Sequence, residues 1–348
     1  MKRSFNVSYV TTLPKEGNAP RVTITGKEDE VFRVEFHEST NDGFKLVSSG
    51  VCRTNQTIIA KTKQWYTSWA IRVVDDCGNK VYSDCFDPQG KVIFIKIDAY
   101  ALGDTIAWIP YVEMFRQKHN CRVICSTFHN DILIQAYPDI MFAKPNTQIE
   151  NVYAQYYIGA SNDNNSLYSP IKVNEHPLQD VAARILGLQP MEIRPLLEHQ
   201  IMFKPSRIEG EYVTLSEFGS AEAKHWKGDW QKVVNYFIEK GIEVVVISKE
   251  KTSLTGVINK SGDLPLIDRM VDLKHAKMHL GVSSGLSWLA WSLGTHVVMI
   301  SDVTPNFHEF QSGITRLNAN KLDTVNYLAE GQTSLEEVLI KLDDLIVL

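Results

Sequence analysis

The 348-residue sequence lacks the features of a membrane-bound, secreted or nucleic-acid-bound protein. No segment approaches the roughly 20 apolar residues of a membrane helix, and no apolar stretch follows the two positive charges near the N-terminus. We therefore predict no membrane partner. Long runs of Lys or Arg are missing and the formal net charge is −5, which argues against a nucleic acid as partner. These absences predict a cytoplasmic protein.

Cysteine is also scarce. The five cysteines are odd in number, lie between Cys52 and Cys125, and include no C-x-x-C pair, so we predict reduced thiols and no zinc site. His275 and His279 have a spacing compatible with zinc, but they fall where a predicted helix gives way to a strand, and we predict no metal there. The sequence has no nucleophile elbow, Walker motif, G-x-G-x-x-G fingerprint or H-E-x-x-H.

What the first 90 residues contain is a series of short strands. Alternation places Phe32, Val34 and Phe36 on one face of a strand at 31–36, and a second strand is predicted at 65–73. Gly-, Asn- and Pro-rich turns separate the strands. We predict an all-β sandwich or barrel.

The pattern changes after residue 90. A nearly continuous apolar run at 92–97 is typical of a strand buried on both faces of a parallel sheet. An amphipathic helix is predicted after it, with Ile106, Ile109, Val112 and Phe115 on its apolar face, and a strand follows at 121–126. Residues 145–169 show no periodicity and are predicted to form a long loop.

The same alternation of strand and helix restarts near residue 212. The predicted elements are strands at 212–215, 243–248, 278–282 and 296–300 and helices at 230–240, 266–275 and 286–293. The predicted fold class is therefore α/β, with two Rossmann-like doubly wound lobes and an additional N-terminal all-β domain. The predicted domains are residues 1–90, 91–205 and 206–348.

Ligands of open α/β sheets bind beyond the carboxyl ends of the strands, where loops lead into helix N-termini. The first such junction contains Gly103, which permits close approach of the backbone, and Asp104, at or next to the helix N-cap. Asp104 could simply cap the helix. Alternatively, a carboxylate in a cleft could act as the general base that deprotonates an acceptor hydroxyl.

The second junction follows the strand at 212–215. Ser216 and Gly219 suit a loop that contacts phosphate, and Lys224 would supply the positive charge that a diphosphate requires. The competing interpretation is an ordinary polar surface loop with a surface lysine.

The third junction joins a short strand to a helix through small residues. Ser283 and Ser284, together with the N–H groups of Gly285, Leu286 and Ser287, could hold a pyrophosphate at the positive end of the helix dipole. A serine that only caps the helix is the alternative, because such turns are common.

Several stretches together carry a resemblance to a known family: 103–111 (GDTIAWIPY), Phe115, Lys118 with His119, 136–140 (AYPDI), Lys224 with Trp226, 283–290 (SSGLSWLA) and 297–301 (VVMIS). In this order they resemble the bacterial heptosyltransferases, and most closely the branch that transfers heptose onto autotransporter adhesins. The resemblance extends from about residue 91 to residue 304 and is weaker in the β-rich N-terminal region.

The resemblance implies a GT-B fold and an inverting glycosyltransferase that uses an ADP-heptose donor without a metal or other cofactor at the chemical step. By position it implies Asp104 as catalytic base, Lys224 as a diphosphate contact and Ser284 to Ser287 as the donor-binding turn. The implied acceptor is a hydroxyl of a protein, a serine or threonine side chain. Trp288 stands where the lipopolysaccharide enzymes have His and agrees with the adhesin branch.

One departure concerns metal and assembly. The adhesin-modifying enzymes carry a cysteine cluster near the C-terminus that holds iron, whereas this sequence has no cysteine after Cys125, so the resemblance does not imply metal-dependent assembly. A homo-oligomer stays open. Two other functions also stay open: transfer of another nucleotide-activated sugar to a glycan or a modified DNA base, and a non-catalytic GT-B protein that binds or assembles.

Overall fold

The protein is described by a computed structural model that covers residues 3–10, 19–62, 65–97, 99–160, 169–317 and 332–346. Its contacts divide the chain into two compact units. Unit 1 comprises Met1–Asp98, Tyr111–Asn130 and Asp139–Met191, and unit 2 comprises Ala99–Pro110, Asp131–Pro138 and Glu192–Leu348.

Unit 1 begins with antiparallel strands. They are β1 (Ser4–Ser8), β2 (Arg21–Thr25), β3 (Val31–Thr40), β4 (Gly43–Arg53), β5 (Gln56–Ile59), β6 (Trp69–Val74) and β7 (Lys80–Cys85). One sheet has the order β1-β2-β5 and the other the order β4-β3-β6-β7. Phe32, Val34 and Phe36 are buried, which confirms the predicted inner face of β3. The strand predicted at 65–73 begins later, at Trp69.

A parallel sheet completes unit 1, with the strand order β10-β9-β8-β11. Its elements are β8 (Val92–Ile97), β9 (Arg122–Thr127), β10 (Ile140–Ala143), β11 (Ala154–Tyr157) and the helix α2 (Leu178–Ile185). The prediction of a loop throughout 145–169 was wrong, because β11 pairs with β8; residues 161–168 lie outside the described part. A bridge from Tyr9 to Ala154 joins the antiparallel region to this sheet.

The helix α1 (Leu102–His119) connects β8 to β9. It is not amphipathic in its first turns, because residues 105–112 are all buried. The predicted apolar positions Ile106, Ile109, Val112 and Phe115 are all buried, and in the first turns the burial extends around the whole helix. The contacts assign its residues up to Pro110 to unit 2 and those from Tyr111 to unit 1.

Unit 2 contains a parallel six-stranded sheet of the order β14-β13-β12-β15-β16-β17. Its elements are β12 (Tyr212–Ser216), α3 (Trp230–Glu239), β13 (Glu243–Val246), β14 (Ile258–Asn259), α4 (Leu266–Lys274), β15 (His279–Val282), α5 (Gly285–Ser292), β16 (Val297–Ile300), β17 (Ile314–Leu317) and α6 (Leu335–Ile346). The seven elements predicted from residue 212 onward are confirmed to within one or two residues at each end, whereas β14, β17 and α6 had not been predicted.

The core of unit 2 lies between its sheet and the helices α3 and α6, and includes Val213, Val244, Phe237, Val338 and Leu342. Among the described residues, no helix is both long enough and apolar enough to cross a membrane. The division into three domains at residues 90 and 205 stays a prediction.

Candidate functional site

The structure brings the three predicted junctions together within unit 2. A β-carbon at Gly285, the first residue of α5, would lie 2.8 Å from Cβ of Leu102, the first residue of α1. A β-carbon at Gly219 would lie 3.1 Å from the carbonyl oxygen of Ser283 and 3.2 Å from Cβ of Lys224. The loop after β12, the turn after β15 and the start of α1 therefore meet at one place.

Asp104 lies in the first turn of α1 and is half-buried, rather than standing at the N-cap. Burial raises the pKa of the Asp104 carboxyl to about 6, and the positive charge of Lys224 acts in the opposite direction. Within the described part of the chain, its carboxylate has no hydrogen-bond partner. The Asp104 carboxyl is therefore mostly deprotonated at neutral pH and forms no structural hydrogen bond with the described residues, as a general base requires.

Lys224 ends a short 3-10 turn, Glu222–Lys224, in the loop that follows β12. The loop is closed on itself, because Nε2 of His225 lies 3.1 Å from the carbonyl oxygen of Gly219. Lys224 is half-buried and pairs with no carboxylate among the residues that the structure describes. Its ammonium group is a positive charge available to an anion.

The turn after β15 starts α5 with Ser284 as its N-cap. The Ser284 hydroxyl accepts a hydrogen bond from the backbone N–H of Ser287, and the Ser284 carbonyl accepts one from Trp288. The N–H groups of Gly285 and Leu286 precede the first turn of hydrogen bonds and have no partner in the described chain. They supply two donors at the positive end of the α5 dipole.

Three serine hydroxyls of the predicted site are bonded within the protein. Ser283 donates to Oε1 of Glu309 at 2.6 Å, and Ser287 donates to the carbonyl oxygen of Val282 at 2.7 Å. Oγ of Ser216 lies 3.2 Å from Nε2 of His279, and all three serines are buried. The side chains of Ser216, Ser283 and Ser287 therefore support the loops, and the binding of a ligand by these residues stays a prediction.

The side chains that hold the turn after β15 in place include a buried ion pair. Glu309 accepts from Ser283 and also pairs with Arg316, with 2.7 Å between Glu309 Oε2 and Arg316 Nη2. Burial by itself raises the pKa of Glu309, but His308, Arg316 and Ser283 together hold that pKa below its usual value. Sequence reasoning missed this pair, because β17 had not been predicted.

Trp288 packs against the start of α1. Its Cδ1 atom would lie 3.0 Å from a β-carbon at Gly103, and its ring meets Trp291 and Phe310 edge to face. A side chain at Gly103 would therefore press on the tryptophan ring, so this glycine permits the close packing of α1 on Trp288. Trp288, which is in α5, is therefore a buried core residue of unit 2.

Two further residues lie near the site; His279 had been considered only as a possible metal ligand, and Glu217 had not been singled out. His279 lies between the hydroxyls of Thr214 and Ser216, and burial lowers its pKa to about 3, so it remains neutral and bridges β12 and β15. Glu217, directly after β12, is buried, and its Oε2 atom has no hydrogen-bond partner in the described chain. A carboxylate that follows a buried strand is the signal that could have revealed it.

The metal-ligating residue types do not converge near this site. All five cysteines are free and lie in unit 1, three of them buried. Across the described ranges, the group of three potential ligands that comes together is Asp75, Asp76 and Cys77, in an exposed turn. His275 and His279 are engaged elsewhere, since Nε2 of His275 lies 2.9 Å from the carbonyl oxygen of Lys204.

The arrangement can therefore hold an anion and deprotonate a neighbouring group. A cation and two free backbone donors are the partners that a diphosphate requires, and a carboxylate with a pKa near 6 lies beside them.

Comparison with known proteins agrees with this chemistry. No model of a known protein family matches the sequence. Among curated proteins, the autotransporter heptosyltransferase Aah of Escherichia coli is 32% identical over 274 residues, which span 74% of this chain and 69% of Aah. The inactive autotransporter heptosyltransferase BimC of Burkholderia thailandensis is 28% identical over 76% of this chain and 65% of its own length.

Solved structures show the same fold. The dodecameric, iron-containing heptosyltransferase TibC in complex with ADP-D-β-D-heptose has a TM-score of 0.80 at 21% identity, covering 99% of this chain and 96% of that one. The glycosyl transferase family 9 protein of Veillonella parvula has a TM-score of 0.54 at 12% identity, covering 75% and 99%. With the identity to Aah and the alignment across 74% of the sequence, this chain belongs to the autotransporter heptosyltransferases.

Proposed function

We propose that this protein is an inverting glycosyltransferase that transfers heptose from ADP-heptose to a serine or threonine hydroxyl of a protein. The observation that carries the proposal is the meeting of Asp104, Lys224 and the free N–H groups of α5 at one place in unit 2. The names of the relatives support the donor, the sugar and the protein acceptor.

Asp104 acts as the general base. With its pKa raised to about 6, the carboxyl is mostly deprotonated at neutral pH and still basic enough to accept a proton from an acceptor hydroxyl in the transition state. The acceptor oxygen attacks the anomeric carbon as the bond to the diphosphate breaks, so the configuration inverts. The proton goes to Asp104 and the electron pair of the broken bond goes to ADP.

Lys224 and the turn stabilise the leaving group. Negative charge grows on the diphosphate as the sugar departs, and the ammonium of Lys224 with the N–H groups of Gly285 and Leu286 would meet that charge. These partners are fixed before the reaction, because Ser284 caps the helix and Ser283 is anchored on Glu309. We count Gly103 among the site residues because it lets α1 approach Trp288.

We assign no step to iron. TibC contains iron, but this sequence has no cysteine after Cys125, and unit 2 therefore offers no thiolate. The residues described here do not fit an iron centre of that kind, and the proposed reaction uses the donor sugar nucleotide as co-substrate alone.

We also propose the GT-B architecture with an added all-β domain, divided at 1–90, 91–205 and 206–348. The two parallel sheets and the antiparallel sheets of residues 4–85 support this division. Assembly into a homo-oligomer is supported by the dodecameric state of TibC, and the free cysteines support a cytoplasmic location.

A binding protein without catalysis is the second candidate, because BimC is named inactive. The two candidate functions predict different effects of substituting Asp104. In a binding protein there is no turnover to lose and donor binding would stay nearly intact after the substitution, whereas in an enzyme the substitution removes turnover.

The test is heptose transfer to an autotransporter passenger protein with purified wild type, Asp104→Asn and Asp344→Asn. Asp344 is an exposed carboxylate in α6 and serves as the matched control. We expect Asp104→Asn to lower turnover by about 100- to 10,000-fold while ADP-heptose still binds, and the control to match wild type. Substantial turnover by Asp104→Asn would refute its assignment, and a wild-type protein that binds the donor without transfer would favour the second candidate.

A further inference from the structure

Trp226 follows Lys224 in the stretches that resemble the heptosyltransferases, but the proposed reaction gives it no role. It lies two residues after Lys224, in the loop between β12 and α3. Of residues 218–229, all of which the structure describes, Trp226 is the buried one, with 4% of its surface exposed. Its indole is therefore the point at which this loop enters the core of unit 2.

The hydrogen bonds around Lys224 do not tie it to the rest of unit 2. In the described chain, the hydrogen bonds of residues 218–225 stay within the loop. The N–H of Lys224 donates to the carbonyl oxygen of Ala221, and the imidazole of His225 lies 3.1 Å from the carbonyl oxygen of Gly219. These bonds give the loop its local shape, but the position of the loop relative to the sheet has to be fixed by another contact.

The indole N–H of Trp226 supplies that contact. It donates to the carbonyl oxygen of Thr333 at 2.7 Å, and the bond is buried. Thr333 is itself fixed, because its backbone N–H and its hydroxyl both donate to the carboxylate of Asp302, the second residue after β16. In the sheet β15 lies between β12 and β16, so the bond joins the segments on either side of the strand that carries the donor turn.

The indole of Trp226 is closely packed at this position. A β-carbon at Gly228 would lie 2.0 Å from Cζ2 of Trp226, so the ring covers the backbone of that glycine. The ring also meets Trp230 edge to face, with 4.9 Å between the ring centroids. Because His225 alone separates Lys224 from Trp226, the place of the indole sets the place of the lysine.

We propose that Trp226 is a positioning residue: through its bond to Thr333 it holds the loop so that the ammonium group of Lys224 faces the diphosphate and the carboxylate of Asp104. This inference rests on the proposed function, since it assumes a diphosphate at the turn after β15. Trp226 touches no substrate and transfers no proton. It acts on the reaction through Lys224 alone.

The pKa of Asp104 reports where Lys224 lies. The positive charge of Lys224 lowers that pKa, and the attraction between two charges weakens as they move apart. If the loop shifts when the bond to Thr333 is lost, the midpoint of the pH–rate profile should move to higher pH, although neither charged group has been changed. Replacing a tryptophan that only fills the core would lower stability and leave the midpoint where it is.

The experiment measures kcat/KM for heptose transfer as a function of pH, and ADP affinity by calorimetry, on the full chain of wild type, Trp226→Phe and Thr333→Val. Phenylalanine keeps an aromatic ring but has no N–H to donate. Valine removes the hydroxyl that holds Thr333 on Asp302 and leaves Trp226 intact. We expect both variants to raise the midpoint and to weaken ADP binding by about three- to ten-fold. Thr333→Val decides the question if Trp226→Phe does not fold.

Trp230→Phe is the matched control, because Trp230 is buried in the same core and its indole N–H forms no hydrogen bond with the described residues. It should lower stability without moving the midpoint or the ADP affinity. A double substitution adds a second check. In the Lys224→Met background, Trp226→Phe should have no further effect on either quantity, because its effect is transmitted through the ammonium group that is no longer there.

Three results would overturn the inference. The first is a wild-type midpoint in folded Trp226→Phe, or in Thr333→Val if Trp226→Phe does not fold. The second is an equal shift in Trp230→Phe, and the third is an undiminished effect of Trp226→Phe in the Lys224→Met background. A wild type that binds ADP and transfers heptose confines such a failure to this inference, whereas a wild type that binds no ADP refutes the proposed function and the inference with it.

Discussion

Gly285, the first residue of α5, packs directly on Leu102, the first residue of α1. A β-carbon at Gly285 would lie 2.8 Å from Cβ of Leu102 and 3.2 Å from the backbone nitrogen of Gly103. Two helix N-termini therefore meet, one presenting free N–H groups and the other carrying Asp104. Because of this contact, the proposed base and the proposed diphosphate site are held in a fixed position relative to each other.

Gly285→Ala tests that contact. The β-carbon of Leu102 is fixed to its backbone and cannot turn away, so one helix start must shift, at a cost of about 1–3 kcal/mol in the free energy of unfolding. Since the shift also moves the N–H groups of Gly285 and Leu286, we expect ADP affinity to fall by about tenfold. Denaturant unfolding and calorimetry measure the two effects.

Gly159→Ala is the control for that substitution, because a β-carbon there would meet nothing within 4 Å. It should change stability by less than about 0.5 kcal/mol and leave ADP affinity intact. Equal behaviour of the two variants would mean that the contact between Gly285 and Leu102 does not shape the site.

A second prediction concerns the pH dependence of transfer. Asp104 must be deprotonated to accept a proton, so kcat/KM should rise with pH through a midpoint near the Asp104 pKa of about 6. Lys224 lowers that pKa, and Lys224→Met should therefore move the midpoint to higher pH besides reducing the rate. Rate profiles between pH 5 and pH 8 give both quantities.

Lys227→Met is the matched control for Lys224→Met. Lys227 is in the same loop and half exposed, and its partner, at 3.7 Å, is the exposed Glu222. Its substitution should leave the midpoint unchanged. A midpoint that does not move in Lys224→Met would mean that the charge of Lys224 does not act on the Asp104 carboxyl, which would contradict the arrangement.

The regular elements of unit 2 could be predicted from sequence because their signals are local. The apolar strands at β12, β13, β15 and β16 and the 3.6-residue periodicity of α3 are each visible within one window of sequence. β11 was missed for the opposite reason: its four residues Ala154–Tyr157 are too few to show a pattern, and only pairing with β8 makes them a strand.

The candidate site was predictable in its parts but not in its internal bonding. Each of the three loops stands out as a junction of strand and helix, and the resemblance to heptosyltransferases gives their order. The partners of the serines are remote in sequence, however: Ser283 bonds Glu309, 26 residues later, and Ser216 bonds His279, 63 residues later. No local pattern indicates that these hydroxyls are already engaged.

The third prediction concerns the buried ion pair beneath the turn after β15. Glu309 is buried, with its oxygens held by Ser283 and Arg316. Arg316→Met would leave that carboxylate without its cation, and removing one partner of a buried pair costs about 3–5 kcal/mol. Ser283→Ala removes a single hydrogen bond to a charged group and should cost about 1–3 kcal/mol.

Arg53→Met is the control for the buried pair, because Arg53 forms an exposed ion pair with Asp29. It should cost less than about 1 kcal/mol, as exposed pairs do. Urea unfolding of Arg316→Met, Ser283→Ala and Arg53→Met measures how much each substitution lowers the free energy of unfolding. If Arg316→Met proves as mild as Arg53→Met, Glu309 is not held in its charged form by Arg316.

The last prediction is that Asp104→Asn makes the protein more stable, and more so at higher pH. Burial raises the Asp104 pKa from 3.8 to about 6, so between these values the folded state binds more protons than the unfolded state. Stability therefore falls as pH rises through this window, and above it the charged group costs up to about 3 kcal/mol. Asparagine carries no charge and removes that cost.

Denaturant unfolding at pH 4.5 and pH 7.5 measures the difference between Asp104→Asn and wild type. We expect the gain to be small at pH 4.5 and near its maximum at pH 7.5, whereas Asp344→Asn, an exposed control, should show no such increase. A gain that is absent or independent of pH would mean that Asp104 is solvated in the folded protein. An increasing gain, together with lost transfer, would show that the protein retains a destabilising carboxylate because the reaction requires a base.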